Sequence, residues 1–243
     1  MPANSSPPSV DHRVSPAVDP ETFRAVEGYD DETRGFVDDV VSAFNDAYVT
    51  LGKIHDAREL WERNPTTTDA QRILIVSKEA AKHKDRITRR LDRAHDSLKA
   101  RIEFVENELS RPLTEMAGRG SLNAEVRTYA KGLSRSEREK LLQSSLIAGD
   151  DPTLAAILGA QPFLSGLTDV DHAHFLNKYH TQKNPHLVRR RSVMVRVLAL
   201  IYRSGPVLHK EFVRAVGAKP QDVNAIDLAN ERALAALRIE PTA

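Results

Sequence analysis

The chain has 243 residues, of which 40% are hydrophobic and 28% charged, and its formal net charge is +1. This charge excludes a general attraction to nucleic acid, and the lack of cysteine excludes disulfides, thiolate metal sites and cysteine nucleophiles. The longest apolar run, Val193 to Tyr202, is too short to cross a bilayer, which takes about 20 residues. The sequence does not begin with a basic stretch followed by an apolar segment, so it predicts no secretory signal. We therefore expect a soluble, cytoplasmic protein with no membrane partner.

Residues 1–29 are predicted to form a proline-rich extended arm. Five prolines fall among the first 20 residues: Pro2, Pro7, Pro8, Pro16 and Pro20. Proline lacks a backbone N–H and restricts the residue before it, so this density disfavours regular helix. Residues 1–40 also carry nine acidic side chains against three arginines. The arm is either an acidic segment that docks on a basic face or a simple floppy terminus.

A first long helix is predicted from Asp30 or Asp31 to about Arg63. Its apolar residues step by three and four, which is the spacing of one helix face. The acidic residues at its predicted start complement the positive end of the helix dipole. Asn64 and Pro65 are predicted to end it, because proline disfavours α geometry in the preceding residue.

A second long helix is predicted from Asp69 to about Ser110, with Thr68 as its N-cap. Its apolar pattern repeats every eleven residues, as in the series Val76, Ile87, Leu98 and Leu109. Such a repeat, with about 3.67 residues per turn, produces a nearly straight stripe. The stripe exceeds what the first helix can cover, so we expect part of it to bind a partner or a second copy. The expected partner-binding residues are Ile87, Leu91, Leu98, Ile102, Val105 and Leu109.

Gly118 and Gly120 mark a predicted domain boundary, after which the helices become shorter. These helices are predicted at about 121–132, 134–149, 151–159, 168–183, 185–205, 206–217 and 220–238, from caps, glycines and prolines. No segment alternates as a strand does. The predicted fold is all-α, with a long antiparallel helical hairpin (30–117) followed by a small helical domain (118–243).

Residues 169–186 carry the most enzyme-like pattern in the chain. Six potential ligands or proton carriers lie there: Asp169, Asp171, His172, His174, His180 and His186. Metal ligands on a helix are typically three or four residues apart; Asp171 and His174 have such a spacing and could share a site, but no third ligand is spaced to complete it. Solvated surface histidines explain the cluster equally well. We assign no catalytic residue, metal or cofactor, and a histidine-centred enzyme remains an alternative.

Two basic segments suggest a different alternative. Residues 72–101 hold ten Lys or Arg against four acids, and residues 183–214 hold eight against Glu211 alone. Phosphate binding requires positive charge along a face. The candidate basic face comprises Lys82, Arg86, Arg89, Arg90, Arg93, Arg189, Arg190 and Arg191. The second hypothesis is therefore a nucleic-acid-associated protein that binds the phosphate backbone. A simpler explanation is that the basic faces solubilise the helices or contact the acidic arm.

One segment resembles a known group of proteins. It consists of Leu133-Ser-Arg-Ser-Glu137, Ala148-Gly-Asp150, Leu154-Ala-Ala-Ile-Leu-Gly159 and Gln161-Pro-Phe-Leu-Ser-Gly-Leu-Thr168. This stretch, about residues 133–168, resembles uncharacterised helical proteins of phages and prophages. The resemblance implies a role in virion structure or assembly, and a location in the virion if the protein is phage-encoded. The leading hypothesis is thus a non-enzymatic structural or assembly protein that acts through helical oligomerisation or partner binding.

Overall fold

The computed structural model describes residues 10–118 and 122–237, which are built from α-helices and short 3₁₀ turns. The helices are α1 (Pro20–Arg24), α2 (Asp38–Glu62), α3 (Asp69–Ala117), α4 (Leu122–Gly132), α5 (Arg135–Ala148), α6 (Asp151–Leu158), α7 (Asp169–Lys183), α8 (Pro185–Val216) and α9 (Pro220–Ala236). The 3₁₀ turns are Pro16–Val18, Arg34–Phe36 and Pro162–Leu164. None of the described residues forms a strand, so the all-α prediction is confirmed.

Several helix starts lie where their capping residues predict them. Thr68 accepts from the amide of Gln71 at 3.3 Å, and the Gln71 side chain accepts from the amide of Thr68 at 3.0 Å. Ser134 and Glu137 form the predicted capping box of α5. Thr168 accepts from the amide of Asp171 at 3.1 Å and begins α7. These caps satisfy amides that have no partner inside the helix. The predicted cap Ser121 lies outside the described residues.

The predicted start of the first long helix is wrong by several residues. The carboxylate of Asp30 accepts from the amides of Glu32 and Thr33 at 3.0 and 3.2 Å. A side chain that bonds to nearby amides in this way competes with helix formation. The chain therefore turns here, and α2 begins only at Asp38.

Two helices continue through a proline, although the sequence pattern predicts that one of them ends before it and the other is divided at it. Pro112 lies in α3 and Pro206 in α8. The predicted end near Ser110 and the predicted break between 185–205 and 206–217 are therefore wrong. In α8, the residues on both sides of Pro206 pack on one buried face: Val197, Ser204, Leu208, Phe212 and Ala215. This burial outweighs the helix-breaking tendency of proline, which costs about 3 kcal/mol.

The chain divides into two compact units. Unit 1 comprises residues 1–98 and 196–243, and unit 2 comprises residues 99–195. These limits differ from the predicted ranges 30–117 and 118–243. The difference arises because α3 and α8 each contribute residues to both units.

Within unit 1, α2 and the first part of α3 lie side by side and run antiparallel. Arg86 reaches the carboxylate of Asp46 at 3.1 Å, and Arg90 donates to the hydroxyl of Ser42 at 2.7 Å. The contacts thus step backwards along α2 as they step forwards along α3. The antiparallel pairing therefore extends over residues of α3 that belong to unit 1.

The segment 10–29 is packed against unit 1, so the predicted extended arm is wrong for these residues. Val14, Val18 and Phe23 are at most 3% exposed, and Phe23 stacks on Phe44 with ring centroids 4.2 Å apart. Prolines take the first helical position here, where no backbone N–H is needed. Residues 1–9 lie outside the described part of the chain.

Unit 2 has its own core, in which α4, α5, α6 and α7 pack together. Its fully buried or nearly buried residues include Leu113, Ala130, Leu142, Leu146, Leu154, Ile157 and Phe175. Gly159, at the end of α6, approaches the main chain of α3 so closely that a Cβ atom would lie 2.3 Å from the carbonyl oxygen of Leu113. Only glycine fits such an approach.

Arg138 is a buried structural arginine of unit 2. Its guanidinium donates to the carbonyl oxygens of Ala130 at 2.8 Å, Leu133 at 2.8 Å and Lys131 at 3.4 Å, and also to that of Gly166. The first three carbonyls lie at the end of α4 or just after it, where no intrahelical donor remains. Arg138 thus ties the end of α4 to the turn before α7.

Candidate functional sites

The predicted partner-binding stripe is largely buried within the chain itself. Ile87, Leu98, Ile102, Val105 and Leu109 are at most 9% exposed, and Leu91 is half-buried. The first three stripe residues belong to unit 1 and the last three to unit 2. Another chain would not reach the buried residues in this structure. The stripe therefore forms core, and a partner surface must be sought elsewhere.

The basic face in unit 1 is partly neutralised by neighbouring groups. Arg86 and Arg90 both lie 3.1 Å from Asp46, and Lys82 lies 2.6 Å from Glu79. Arg89 and Arg93, in contrast, donate to main-chain carbonyls one turn earlier, at 3.2 Å. A groove of about 510 Å³ lies beside Arg93 and is lined by Asp39, Ser42, Arg86, Arg90, Arg93 and Ala94. This arrangement offers guanidinium groups to an anion, although carboxylates compete for two of them.

The remaining predicted basic residues belong to unit 2. Arg189, Arg190 and Arg191 lie in the first turns of α8. Arg191 donates to the carboxylate of Glu106 at 2.7 Å. The eight predicted basic residues are therefore divided between the two units.

The histidine-rich region 169–186 does not converge on one point. Asp171 is bound by Arg135 at 2.8 Å, His172 lies 2.9 Å from the carbonyl oxygen of Leu158, and the ring of His174 packs edge-on against Phe175. His186 and Asp169 are exposed. Among the described residues, no three histidine, aspartate or glutamate side chains come together as a metal site would need.

Within the region 169–186, His180 differs from the other histidines because it is buried against a groove of unit 2. It is 6% exposed, and its Nδ1 atom has no hydrogen-bond partner among the described residues. Burial lowers the pKa of His180, and the nearby Arg191 lowers it further. The groove, of about 440 Å³, also holds the Arg191–Glu106 pair and the amides of Asn107 and Asn177.

A groove in unit 1 lies between α3 and α8. It has a volume of about 590 Å³. Its floor is apolar and consists of Phe44, Leu91, Ile201, Leu208 and Phe212. Three of these side chains are at most 6% exposed, so the floor is part of the core of unit 1. We call this cavity the α3–α8 groove.

The rim of the α3–α8 groove is polar. Lys84, Thr88, Asp92, His95, Tyr202 and His209 line it. The Nδ1 atom of His95 lies 3.0 Å from the carboxylate of Asp96, and its Nε2 atom lies 3.2 Å from the hydroxyl of Tyr202. In the neutral tautomer that carries its proton on Nδ1, the Nδ1–H group donates a hydrogen bond to the carboxylate, and Nε2 accepts one from the tyrosine hydroxyl. The rim can therefore orient the polar end of a molecule that lies on the apolar floor.

The sequence did not identify His95, Tyr202 or the groove itself. Gly205 and Pro206 were interpreted as a helix boundary, whereas they lie inside α8 and line the groove. A glycine within an apolar helical pattern leaves space unless a neighbour fills it. Gly205 was therefore the one sequence signal for the groove, and it could be used only with the knowledge that α8 continues past this residue.

Helix α9 exposes apolar side chains. None of its 17 residues is buried. Val223, Ile226, Leu234 and Leu237 lie on one face by helical spacing, with Leu237 directly after the helix. The first two are half-buried, whereas Leu234 and Leu237 are 55% and 74% exposed. Asp227 on this helix lies 2.9 Å from Lys78 of α3. The apolar face of α9 thus continues beyond its contact with the rest of unit 1.

No described helix combines the length and apolar content needed to cross a membrane. Comparisons with protein-family models, curated proteins and solved structures give no match for this chain.

Proposed function

We propose that this chain is a non-enzymatic structural or assembly protein, and that it binds another protein chain through α9. The most specific form of the proposal is a component of a phage virion or of its assembly, which follows from the resemblance of residues 133–168. The protein would then be found in the cytoplasm or in the virion.

The exposed end of α9 carries the proposal. A short helix is marginally stable in water, and most helices in proteins are held by packing of an apolar face. Here Leu234 and Leu237 extend that face without a partner in the described chain. Burial of a leucine side chain contributes about 1.5–3 kcal/mol, so covering both residues would stabilise an association considerably. This placement supports α9, rather than the buried stripe of α3, as the contact surface.

A second copy of the chain is the partner to test first, because most soluble oligomers are symmetric assemblies of one chain. The experiment is size-exclusion chromatography with light scattering over a concentration series. The variant Leu234→Glu/Leu237→Glu places charge on the bare face. Leu60→Glu is the matched control, since Leu60 is 68% exposed at the end of α2.

We expect the wild type and Leu60→Glu to gain mass with concentration, and the double variant to remain monomeric. A double variant that associates as the wild type does would exclude α9 as the contact. A wild type that stays monomeric at every concentration would exclude self-association.

The second candidate function is binding to the phosphate backbone of nucleic acid. Arg89 and Arg93 favour it, because both side chains are exposed and their hydrogen bonds within the described part of the chain go to main-chain carbonyls of their own helix. Arg93 also lines the arginine-rich groove. Such binding weakens steeply as salt is raised, because counterions are released from the nucleic acid. The test is fluorescence anisotropy with duplex DNA over a range of salt concentrations.

The variant Arg89→Glu/Arg93→Glu should abolish this binding. Arg24→Glu/Arg34→Glu, which makes the same change of charge near the N-terminus, should leave it nearly intact. Equal effects of the two variants would mean that net charge alone is responsible. The histidine-centred enzyme remains an untested alternative, which bound metal in a chelator-free preparation would favour.

A further inference from the structure

The α3–α8 groove is open because one position of α8 has no side chain. Gly205 lines the groove, and a Cβ atom built on it would meet no heavy atom within 4 Å. Its φ angle is not in the left-handed region, so the backbone does not require glycine there. Glycine within a helix costs about 1 kcal/mol relative to alanine. The chain therefore keeps a destabilising residue at a position beside the groove where a side chain would have room.

Pro206, the next residue, adds a polar feature to the same place. Proline has no N–H, so it cannot donate to the carbonyl oxygen of Tyr202, four residues earlier. The hydroxyl of Tyr202 is hydrogen-bonded to His95 on the opposite wall. The Gly205–Pro206 step thus leaves both free volume and polar groups at the mouth of the groove.

The chemistry of the groove defines the class of its ligand. Its volume of about 590 Å³ lies within the range of about 300–1,000 Å³ that is usual for small-molecule sites. The floor is apolar, whereas the rim carries the ammonium group of Lys84, the carboxylate of Asp92 and the imidazole rings of His95 and His209. Lys84 forms no ion pair with any described residue. An anionic group at the rim can therefore pair with the ammonium group of Lys84.

We propose that the α3–α8 groove binds a small organic anion. Its apolar, ring-sized or short-chain body lies on Phe44, Leu208 and Phe212, and its acidic group points to Lys84. This site does not depend on α9, so its failure and the failure of the proposed function are distinguishable.

The test uses two fluorescent probes that differ by one charge. Anilinonaphthalene sulfonate has an aromatic body and a sulfonate, and phenylnaphthylamine has the same body without the sulfonate. Each is titrated into the full chain, and the fluorescence increase gives its affinity. Gly205→Leu adds a side chain at the groove, and its Cβ atom would meet nothing within 4 Å. Gly132→Leu, at another position where a Cβ atom would meet nothing within 4 Å, is the matched control.

We expect Gly205→Leu to weaken binding of both probes by about tenfold or more, which corresponds to roughly 1.4 kcal/mol. Gly132→Leu should have no effect. Lys84→Gln should weaken binding of the sulfonate probe about threefold, as expected for the loss of a partly exposed charge, and leave binding of the uncharged probe unchanged. Thermal unfolding of each variant shows that its fold is intact.

Three results would overturn the proposal. Unchanged binding by Gly205→Leu would place the probes elsewhere on the chain. Equal effects of Lys84→Gln on both probes would exclude an anion as the preferred ligand. If probe binding decreased as the wild type self-associated, and Gly205→Leu stayed monomeric, the occupant of the groove would be a second copy of the chain.

Discussion

Gly159→Ala introduces a methyl group at a place where two helices of unit 2 almost touch. The new Cβ atom would lie 2.3 Å from the carbonyl oxygen of Leu113 and 2.7 Å from that of Ala155. Both oxygens belong to the main chain, so no side-chain rotation can relieve the overlap. One helix must move by roughly 1 Å, and overpacking of this kind costs about 1–3 kcal/mol. We expect a value at the upper end, with a fall in Tm of roughly 5–10 °C.

Gly132→Ala is the matched control, because it is the same chemical change in the same unit. A Cβ atom at Gly132 would meet nothing within 4 Å, and the residue lies in the last turn of α4. Alanine is a better helix former than glycine, so this variant should gain about 0.5 kcal/mol. The two substitutions should therefore change stability in opposite directions.

The assay is thermal and urea unfolding followed by circular dichroism, with both variants measured beside the wild type. The free energy of unfolding is extrapolated linearly to zero denaturant. If Gly159→Ala were as stable as the wild type, α6 would not approach α3 as closely as the structure indicates, and the packing argument for unit 2 would fail.

Three further predictions concern buried or paired polar groups. Arg138→Met removes the guanidinium that donates to carbonyl oxygens at and just after the end of α4, so it should lower the free energy of urea unfolding by about 3–5 kcal/mol. Arg111→Met on the surface should lower it by about 0.5 kcal/mol or less. Hydrogen bonding from Arg13 holds the pKa of Asp11 at about 2, below its usual 3.8. As the pH decreases, the carboxylate of Asp11 is therefore protonated in the unfolded chain before it is protonated in the folded chain. The free energy of unfolding should fall as the pH decreases from about 4 towards 2, and Arg13→Gln should flatten that part of the pH profile. His55 is 3% exposed with both ring nitrogens unpaired among the described residues, and burial lowers its pKa from 6.5. Stability should thus decrease below about pH 6.5, and His55→Leu should remove this loss and raise the free energy of unfolding by about 1–2 kcal/mol; a pH profile unchanged by His55→Leu would contradict the assignment.

The sequence by itself determined the local features of the fold. The helical periodicity, the caps at Thr68, Ser134 and Thr168, and the stop at Asn64–Pro65 all depend on residues within one or two turns of each other. Such interactions form in the same way whatever surrounds them. For that reason the all-α class and most helix starts could be predicted, while the start of α2 was misplaced where Asp30 bonds to nearby amides instead of beginning a helix.

Only the tertiary structure decided which surfaces are buried and which are open. The eleven-residue pattern of α3 indicates an apolar face, but the partner that covers it comes from residues far away in sequence, and here it is the chain itself. The same long-range packing carries α8 through Pro206 and buries the segment around Phe23. Burial of apolar area contributes several kcal/mol at these points and outweighs local preferences of about 1–3 kcal/mol. The α3–α8 groove and the bare end of α9 exist because that packing is incomplete at Gly205 and at Leu234, which no local pattern reveals.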